Sequence, residues 1–176
     1  MKYLIYGLAA LLIQSCSSAP VDHPDALISL REVEQIKLGE DSRASLEAKF
    51  GRPTREISIS QNEYAIFFNR PYFKDRSIST QRASFVISKV SGHVLTAEWT
   101  PNGESESKNS DEMKSYFRGA QFKQKKTESK HSHVSTQSYT LNDPSLGISM
   151  VVSGRDHQVE SVGFSLPAHR VVGSIK

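Results

Sequence analysis

The chain has 176 residues, with 22 Lys and Arg against 19 Asp and Glu, and one cysteine. A formal charge of +3 is near neutral and gives no case for nucleic acid as a partner. The length suits one domain or two small ones, and a lone cysteine offers no disulfide framework.

Lys2 gives a positive start, and residues 3–13 form an apolar run broken only by Gly7. Gln14 and Ser15 then lead to Cys16. A basic end, an apolar core and a small residue before the cut make a secretory signal. The run falls short of the roughly 20 apolar residues that a spanning helix needs. Ile13-Gln14-Ser15-Cys16 resembles the lipobox of bacterial lipoproteins, with Gln14 in place of the usual small residue. By that resemblance residues 1–15 are a lipoprotein signal peptide, and Cys16 is lipid-modified on its thiol and amine. Each buried methylene contributes ~0.8 kcal/mol, so two or more long chains anchor stably. Ser17, not Asp, follows Cys16, which resembles an outer-membrane address. The expected location is the cell envelope, lipid-anchored at the outer membrane and facing the periplasm. Residues 16–29 hold Ser, Pro and Asp with little apolar content and read as a tether.

Residues 30–50 show helical spacing. Leu30, Val33, Ile36 and Leu38 form one apolar set, and Leu46 and Phe50 a second at i, i+4. Between them, Gly39-Glu40-Asp41-Ser42 is a break whose Asp41 or Ser42 can accept from N–H groups at the start of a second helix. Gly51 ends that helix and Pro53 prevents its return. Strands follow. Tyr64, Ile66 and Phe68 alternate with Ala65 and Phe67, and Ala83, Phe85 and Ile87 with Ser84, Val86 and Ser88. Ser91-Gly92 turns the chain, and Leu95, Ala97 and Trp99 continue on a period of two. Residues 70–81 read as a polar loop holding Pro71, Tyr72 and Phe73, and residues 101–110 as a linker.

Residues 111–167 then repeat the plan on a smaller scale, before a C-terminal tail at 168–176. Met113, Tyr116 and Phe117 suit a short helix, with Asp111 and Glu112 serving its N-terminus. Residues 137–141, 146–152 and 159–166 suit strands. An offset of 65 lays Phe85-Val86-Ile87-Ser88 on Met150-Val151-Val152-Ser153. The same offset pairs Val94 with Val159, Thr96 with Ser161, Ala97 with Val162 and Trp99 with Phe164. An offset of 67 lays Leu46 and Phe50 on Met113 and Phe117. Two arrangements fit: a duplicated unit, or one continuous sheet with a single helical layer. The expected fold class is α+β, two short helices packed on an antiparallel sheet.

Ile36, Gly39, Ser42, Leu46 and the closing Phe50-Gly51-Arg52-Pro53 make a recurring envelope pattern: β-branched residue, Gly, hydroxyl cap, Leu four residues on, then Phe-Gly-x-Pro. It resembles the signature of the SmpA/OmlA family, which includes the BamE outer-membrane assembly lipoproteins. Ser91-Gly92-His93-Val94 resembles that family's Gly-x-Val hairpin. The resemblance spans residues 30–100, the expected BamE-like domain, and implies two short helices against an antiparallel sheet. The β-lactamase inhibitor protein is built from two such repeats. The stretch after residue 110 departs from the shorter BamE proteins and lies closer to that double-repeat plan.

No residue set points to catalysis. Gly163-Phe164-Ser165-Leu166-Pro167 lacks the final glycine of a nucleophile elbow. There is no phosphate loop or dinucleotide fingerprint. His131 and His133 share a face if their stretch is a strand, but zinc needs further ligands that no spacing supplies. The chain is expected to be non-catalytic, with no cofactor or metal. Candidate contacts are of two kinds. Arg70, Tyr72, Phe73 and Arg76 set an aromatic pair among arginines, the composition of a protein-binding hot spot. Lys123, Lys125, Lys126 and Lys130 lie in a basic stretch whose only acid is Glu128, and are candidate electrostatic contacts. The expected partners are an envelope protein and, through lipidated Cys16, the membrane. The expected role is a protein-binding scaffold, in outer-membrane protein assembly by the BamE resemblance. Two alternatives stay open: an inhibitor-like module that blocks an enzyme through its sheet face, and a module contacting anionic lipid or cell wall through its lysines.

Overall fold

Reciprocal capping opens the first helix, α1 (Leu30–Glu34). Ser29 Oγ accepts from the Glu32 N–H at 3.3 Å, and the Glu32 carboxylate accepts from the Ser29 N–H at 2.8 Å. This computed structural model describes residues 28–74, 77–101, 108–126 and 138–167, with the backbone alone at 70–74, 77–82 and 126. α1 stops before its expected end. The Asp41 carboxylate takes the Lys37 N–H at 2.8 Å, and the Asp41 N–H donates to the Lys37 carbonyl at 2.8 Å. Residues 37–41 therefore close a turn instead of a further helical coil. Val33 and Ile36 are buried, and Leu38 packs half-buried beyond the helix.

In α2 (Arg43–Phe50) the Ser45 hydroxyl accepts from the Ser42 N–H at 2.9 Å. The helix ends as its sequence predicts: the Gly51 N–H donates to Glu47 O at 2.9 Å, with Gly51 at φ 79°, ψ −159°. That region of backbone space is essentially open to glycine alone. In α3 (Ser110–Tyr116), Asn109 Oδ1 accepts from the N–H groups of Asp111 and Glu112 at 3.0 and 2.9 Å. Both acids sit in the first turn, where carboxylates suit the helix dipole. The linker expected over 101–110 is thereby corrected at its end, since Asn109 is a cap and Ser110 the first helical residue.

Among the described residues, one antiparallel sheet holds β1 (Arg55–Ser58), β2 (Glu63–Lys74), β3 (Ser77–Ser88), β4 (Val94–Thr100), β5 (Lys123–Lys126), β6 (Ser138–Asp143), β7 (Ile148–Ser153) and β8 (Val159–Ser165). Their order is β1-β2-β3-β4-β8-β7-β6-β5. Each half of the chain is a four-strand meander, and the two meanders join through β4 and β8. The two short edge strands, β1 and β5, have no counterpart in the sequence reading.

The helices cover one face, and a single core runs beneath them. It includes Leu46 and Phe50 of α2, Met113 of α3, and Ile66, Phe68, Phe85, Ile87, Met150, Val152 and Val162 of the sheet. Phe50 stacks on Phe85 at 5.6 Å between centroids, and Phe68 meets both rings, edge-on to Phe85. Trp99 is buried, and its indole N–H donates to Ile28 O at 2.9 Å. Ile148 and Phe164 pack half-buried against it.

The two halves correspond in detail. Ladder irregularities fall between Val86 and Ile87 in one and Val151 and Val152 in the other. The cap residues Ser42 and Asn109 each form a single bridge, to His93 and Gln158. Gly92 N–H donates to Ser88 O at 2.8 Å, and His157 N–H to Ser153 O at 3.0 Å. Both of those turns need a left-handed residue: Gly92 has φ 75°, and His157 has φ 57° without being glycine.

Phe50→Ala and Trp99→Ala should each cost ~3–5 kcal/mol, as truncation of a buried aromatic does. Gly51→Val should cost roughly 1–3 kcal/mol through backbone strain alone. Chemical denaturation checks all three, and unchanged midpoints would mean that the core lies elsewhere.

Candidate functional site

β2 and β3 pair from Glu63↔Ser88 to Lys74↔Ser77, 12 residues on each strand. Their neighbours are shorter. β1 reaches β2 only from Tyr64 to Phe67, and β4 reaches β3 only as far as Arg82, opposite Thr100. Beyond those points the hairpin is an arm, paired among the described residues only to itself. The polar loop expected at 70–81 is thus corrected to paired strand at 70–74 and 77–81. Aromatic Tyr72 and Phe73 and β-branched Ile78 and Thr80 favour extended backbone, and continuous cross-strand pairing outweighs the polarity of the stretch. Pro71 is compatible with this, because a strand at the margin of a sheet does not need every N–H.

The register divides the expected aromatic cluster. Tyr72 lies opposite Ser79 and Phe73 opposite Ile78. Successive strand positions alternate between faces, so positions 70 and 72 share one face of the arm and position 73 belongs to the other. Arg76 lies outside the described residues, as do Lys130 and Cys16. Residues 70, 72 and 73 thus lie on the two faces of one arm.

The lysines take a different place. Lys123 and Lys125 are exposed on β5, opposite Asn142 and Thr140, and Lys126 is opposite Tyr139. β5 is the outermost strand of its half, at the far margin from the arm. Lysines on an edge strand discourage further strand pairing, and this is a sufficient physical reason for their density here.

The centre of the sheet face away from the helices carries small hydroxyl side chains, with Phe67, Val86 and Val151 beside them. Ser84, Thr96, Ser149, Ser161 and Ser165 occupy it, around the central pair Glu98↔Gly163. Ser84 Oγ donates to Glu98 at 3.4 Å. A Cβ on Gly163 would fall 2.7 Å from Ser149 Oγ, so the glycine keeps this centre low. On the helical side, Ile36, Leu38, Leu146, Phe164, Leu166 and Pro167 line a shallow groove of about 410 Å³.

Asp143 has a role that reaches beyond the β6–β7 turn. It is buried, and its carboxylate accepts from the Ser145 hydroxyl and the Gln121 N–H, both at 2.5 Å, and from the N–H groups of Ser145 and Leu146 at 2.9 and 3.3 Å. The Ser145 hydroxyl, then the Gln121 N–H, hold its pKa below the ordinary 3.8, against the opposing effect of burial. One carboxylate thus ties the segment before β5 to the β6–β7 turn. The Asp-Pro-Ser signature gives the turn; the bond to Gln121, 22 positions away, has no local signal.

Among the described residues no group of three His, Cys, Asp or Glu side chains could hold a metal ion, and no helix is long and apolar enough to cross a membrane. His93 Nδ1 is 2.9 Å from Glu40 O, and His157 Nδ1 is 3.1 Å from Tyr139 Oη, so both imidazoles are engaged in local structure. No protein-family model, curated protein or solved structure matches the chain. The site is therefore argued from geometry.

Asp143→Asn should lower the melting temperature at neutral pH. A carboxylate with a depressed native pKa contributes its full stabilisation above its unfolded value and loses it as pH falls through the native value. The gap between wild type and variant should accordingly narrow as pH falls below 3.8. Thermal melts across that range check the sign, and a gap that widens toward acid would refute the assignment.

Proposed function

We propose that this chain is a non-catalytic, lipid-anchored envelope protein that binds another envelope protein and serves as a scaffold, with the β2–β3 arm as its contact. One observation carries the reading. β2 and β3 run for 12 residues each, whereas their counterparts β6 and β7 run for 6. The extra length extends past both neighbouring strands. Segments that leave a rigid scaffold in this way are where binding residues concentrate. Anchoring through Cys16 would raise the effective concentration of the arm at the membrane.

The same reading includes a finer view of the fold: a BamE-like unit in tandem, on the plan of the β-lactamase inhibitor protein. Matched ladder irregularities, bridges and turns in the two halves support it. A second functional reading, an inhibitor-like module, is favoured by the low centre of the sheet face at Gly163 and its flanking serines, which another protein could approach closely.

Cys16→Ser has no thiol to acylate and should lose metabolic palmitate label; retained label would remove the anchor from the proposal. Replacing residues 70–81 by a two-residue Asn-Gly turn should leave the melting temperature of the sheet unchanged. It should also abolish the adduct that a photo-crosslinking residue at position 98 or 84, beside the arm's base, forms with one envelope protein in cells. An adduct that persists without the arm would exclude the arm as the contact and favour the sheet face.

A further inference from the structure

We infer that the molecule stands on the bilayer with its arm toward the membrane, so that the arm's partner is a protein embedded in the same membrane and met at the bilayer surface. This rests on the Cys16 anchor and the arm contact proposed above, and it specifies where that contact is made and what kind of partner makes it.

The sheet has two unlike ends. One is marked by the place where the described chain begins. The Trp99 indole N–H donates to Ile28 O at 2.9 Å. Trp99 lies opposite Ala83, and the next pair, Thr100↔Arg82, is the last before the arm. Ile28 is therefore held at the arm's base. The other end holds the β1–β2, β3–β4 and β6–β7 turns. There the Gly39 N–H donates to Val94 O at 2.8 Å and the Ser165 N–H to Gly147 O at 2.7 Å.

Chain length turns this asymmetry into a stance. Twelve chain steps separate Cys16 from Ile28, and even fully extended they span at most about 43 Å. With Cys16 acylated, the base of the arm stays within that distance of the bilayer. Standing the other way, the chain before Ile28 must first pass back along the sheet. β4 alone is 7 residues long, roughly 23 Å, so the reverse stance spends about half of that reach. Charge favours the same stance. The arm contains Arg70, Lys74 and Arg82 and no acidic residue over 70–74 and 77–82, a sign suited to anionic headgroups. The opposite end carries both signs, with Glu40 and Glu63 beside Lys37 and Lys89. A soluble protein is free to meet any exposed part of the molecule. An arm kept at the bilayer surface is concentrated against what the membrane itself holds.

The test has two parts, both on the full lipidated chain. In vesicles of phosphatidylethanolamine and phosphatidylglycerol with an acceptor-labelled lipid, a donor dye is placed through Ser79→Cys on the arm or Val90→Cys in the opposite turn. Roughly 30 Å of strand separates the two sites, so energy transfer from position 79 should be about twofold or more above that from position 90. Equal or reversed transfer overturns the stance. In cells, a cleavable photo-crosslinker at position 79 should yield a protein that, once released from the adduct, stays in the membrane through an alkaline carbonate wash. A partner that the wash extracts, or adducts with lipid alone, overturns the partner class. The readings fail separately. Missing palmitate label removes the anchor, and an adduct that persists without residues 70–81 removes the arm as the contact. With label and arm-dependent adduct both intact, equal transfer at 79 and 90 removes the stance alone.

Discussion

The molecule depends on the seam between β4 and β8. Four residue pairs make it, from Thr96↔Ser165 to Trp99↔Val162. Backbone hydrogen bonds contribute only about 0.5–1.5 kcal/mol each, so pairing alone would join the two meanders weakly. Burial supplies the rest. Ala97, Trp99 and Val162 sit on the helical side of the seam, almost without exposure, and a fully buried large apolar side chain contributes roughly 1.5–3 kcal/mol. The same strands hold the starts of the helices: the Val94 N–H donates to Asp41 O and the Val159 N–H to Lys108 O. Trp99 further fixes the chain's entry through Ile28. Sheet, helix starts and Ile28 are thus all referred to one pair of central strands.

Much of this was legible in the sequence because the signals were local. The Gly51 stop and the alternation of Ala83, Phe85 and Ile87 each depend on residues within one turn or one strand. The offset of 65 anticipated the correspondence of β3 and β4 with β7 and β8 because both hairpins bury the same alternate positions. What escaped was set by pairing. Arg55-Glu56-Ile57-Ser58 has one apolar residue and no alternation to detect; it is a strand because Tyr64 to Phe67 lie beside it. Lys123 to Lys126 are a strand for the same reason, given by β6. The arm was read as a loop because its composition is that of one. The break after α1 was seen, but its position was not, since the Asp41–Lys37 bond that fixes it leaves no periodic trace.

Charge in this chain follows from strand geometry as much as from partners. A basic run such as residues 123–126 invites an electrostatic reading on composition alone. Once it is an edge strand, the lysines have a structural task, because they keep a long open sheet from pairing onward. The opposite margin is protected differently, by the ion pair of Arg43 with Glu47 and Glu56. Exposed pairs of this kind contribute little stability. Their value is in occupying the edge with charge, which makes pairing costly for another strand.

The correspondence between the halves also gives a criterion for locating function. Where the halves agree, packing and turn geometry explain the agreement: bulges, cap bridges and hairpin turns recur because each meander must curve and close in the same way. Where they differ, packing explains little. His157 holds a left-handed conformation that Gly92 adopts without strain, and it is compensated locally by its contact with Tyr139. The arm is a larger departure. It doubles the length of one hairpin. Ordering backbone costs about 1–2 kcal/mol per residue, so a hairpin of twice the length carries a cost that its counterpart does not. A departure of that size between otherwise matching halves is the feature that their shared rules of packing and turn geometry leave unexplained.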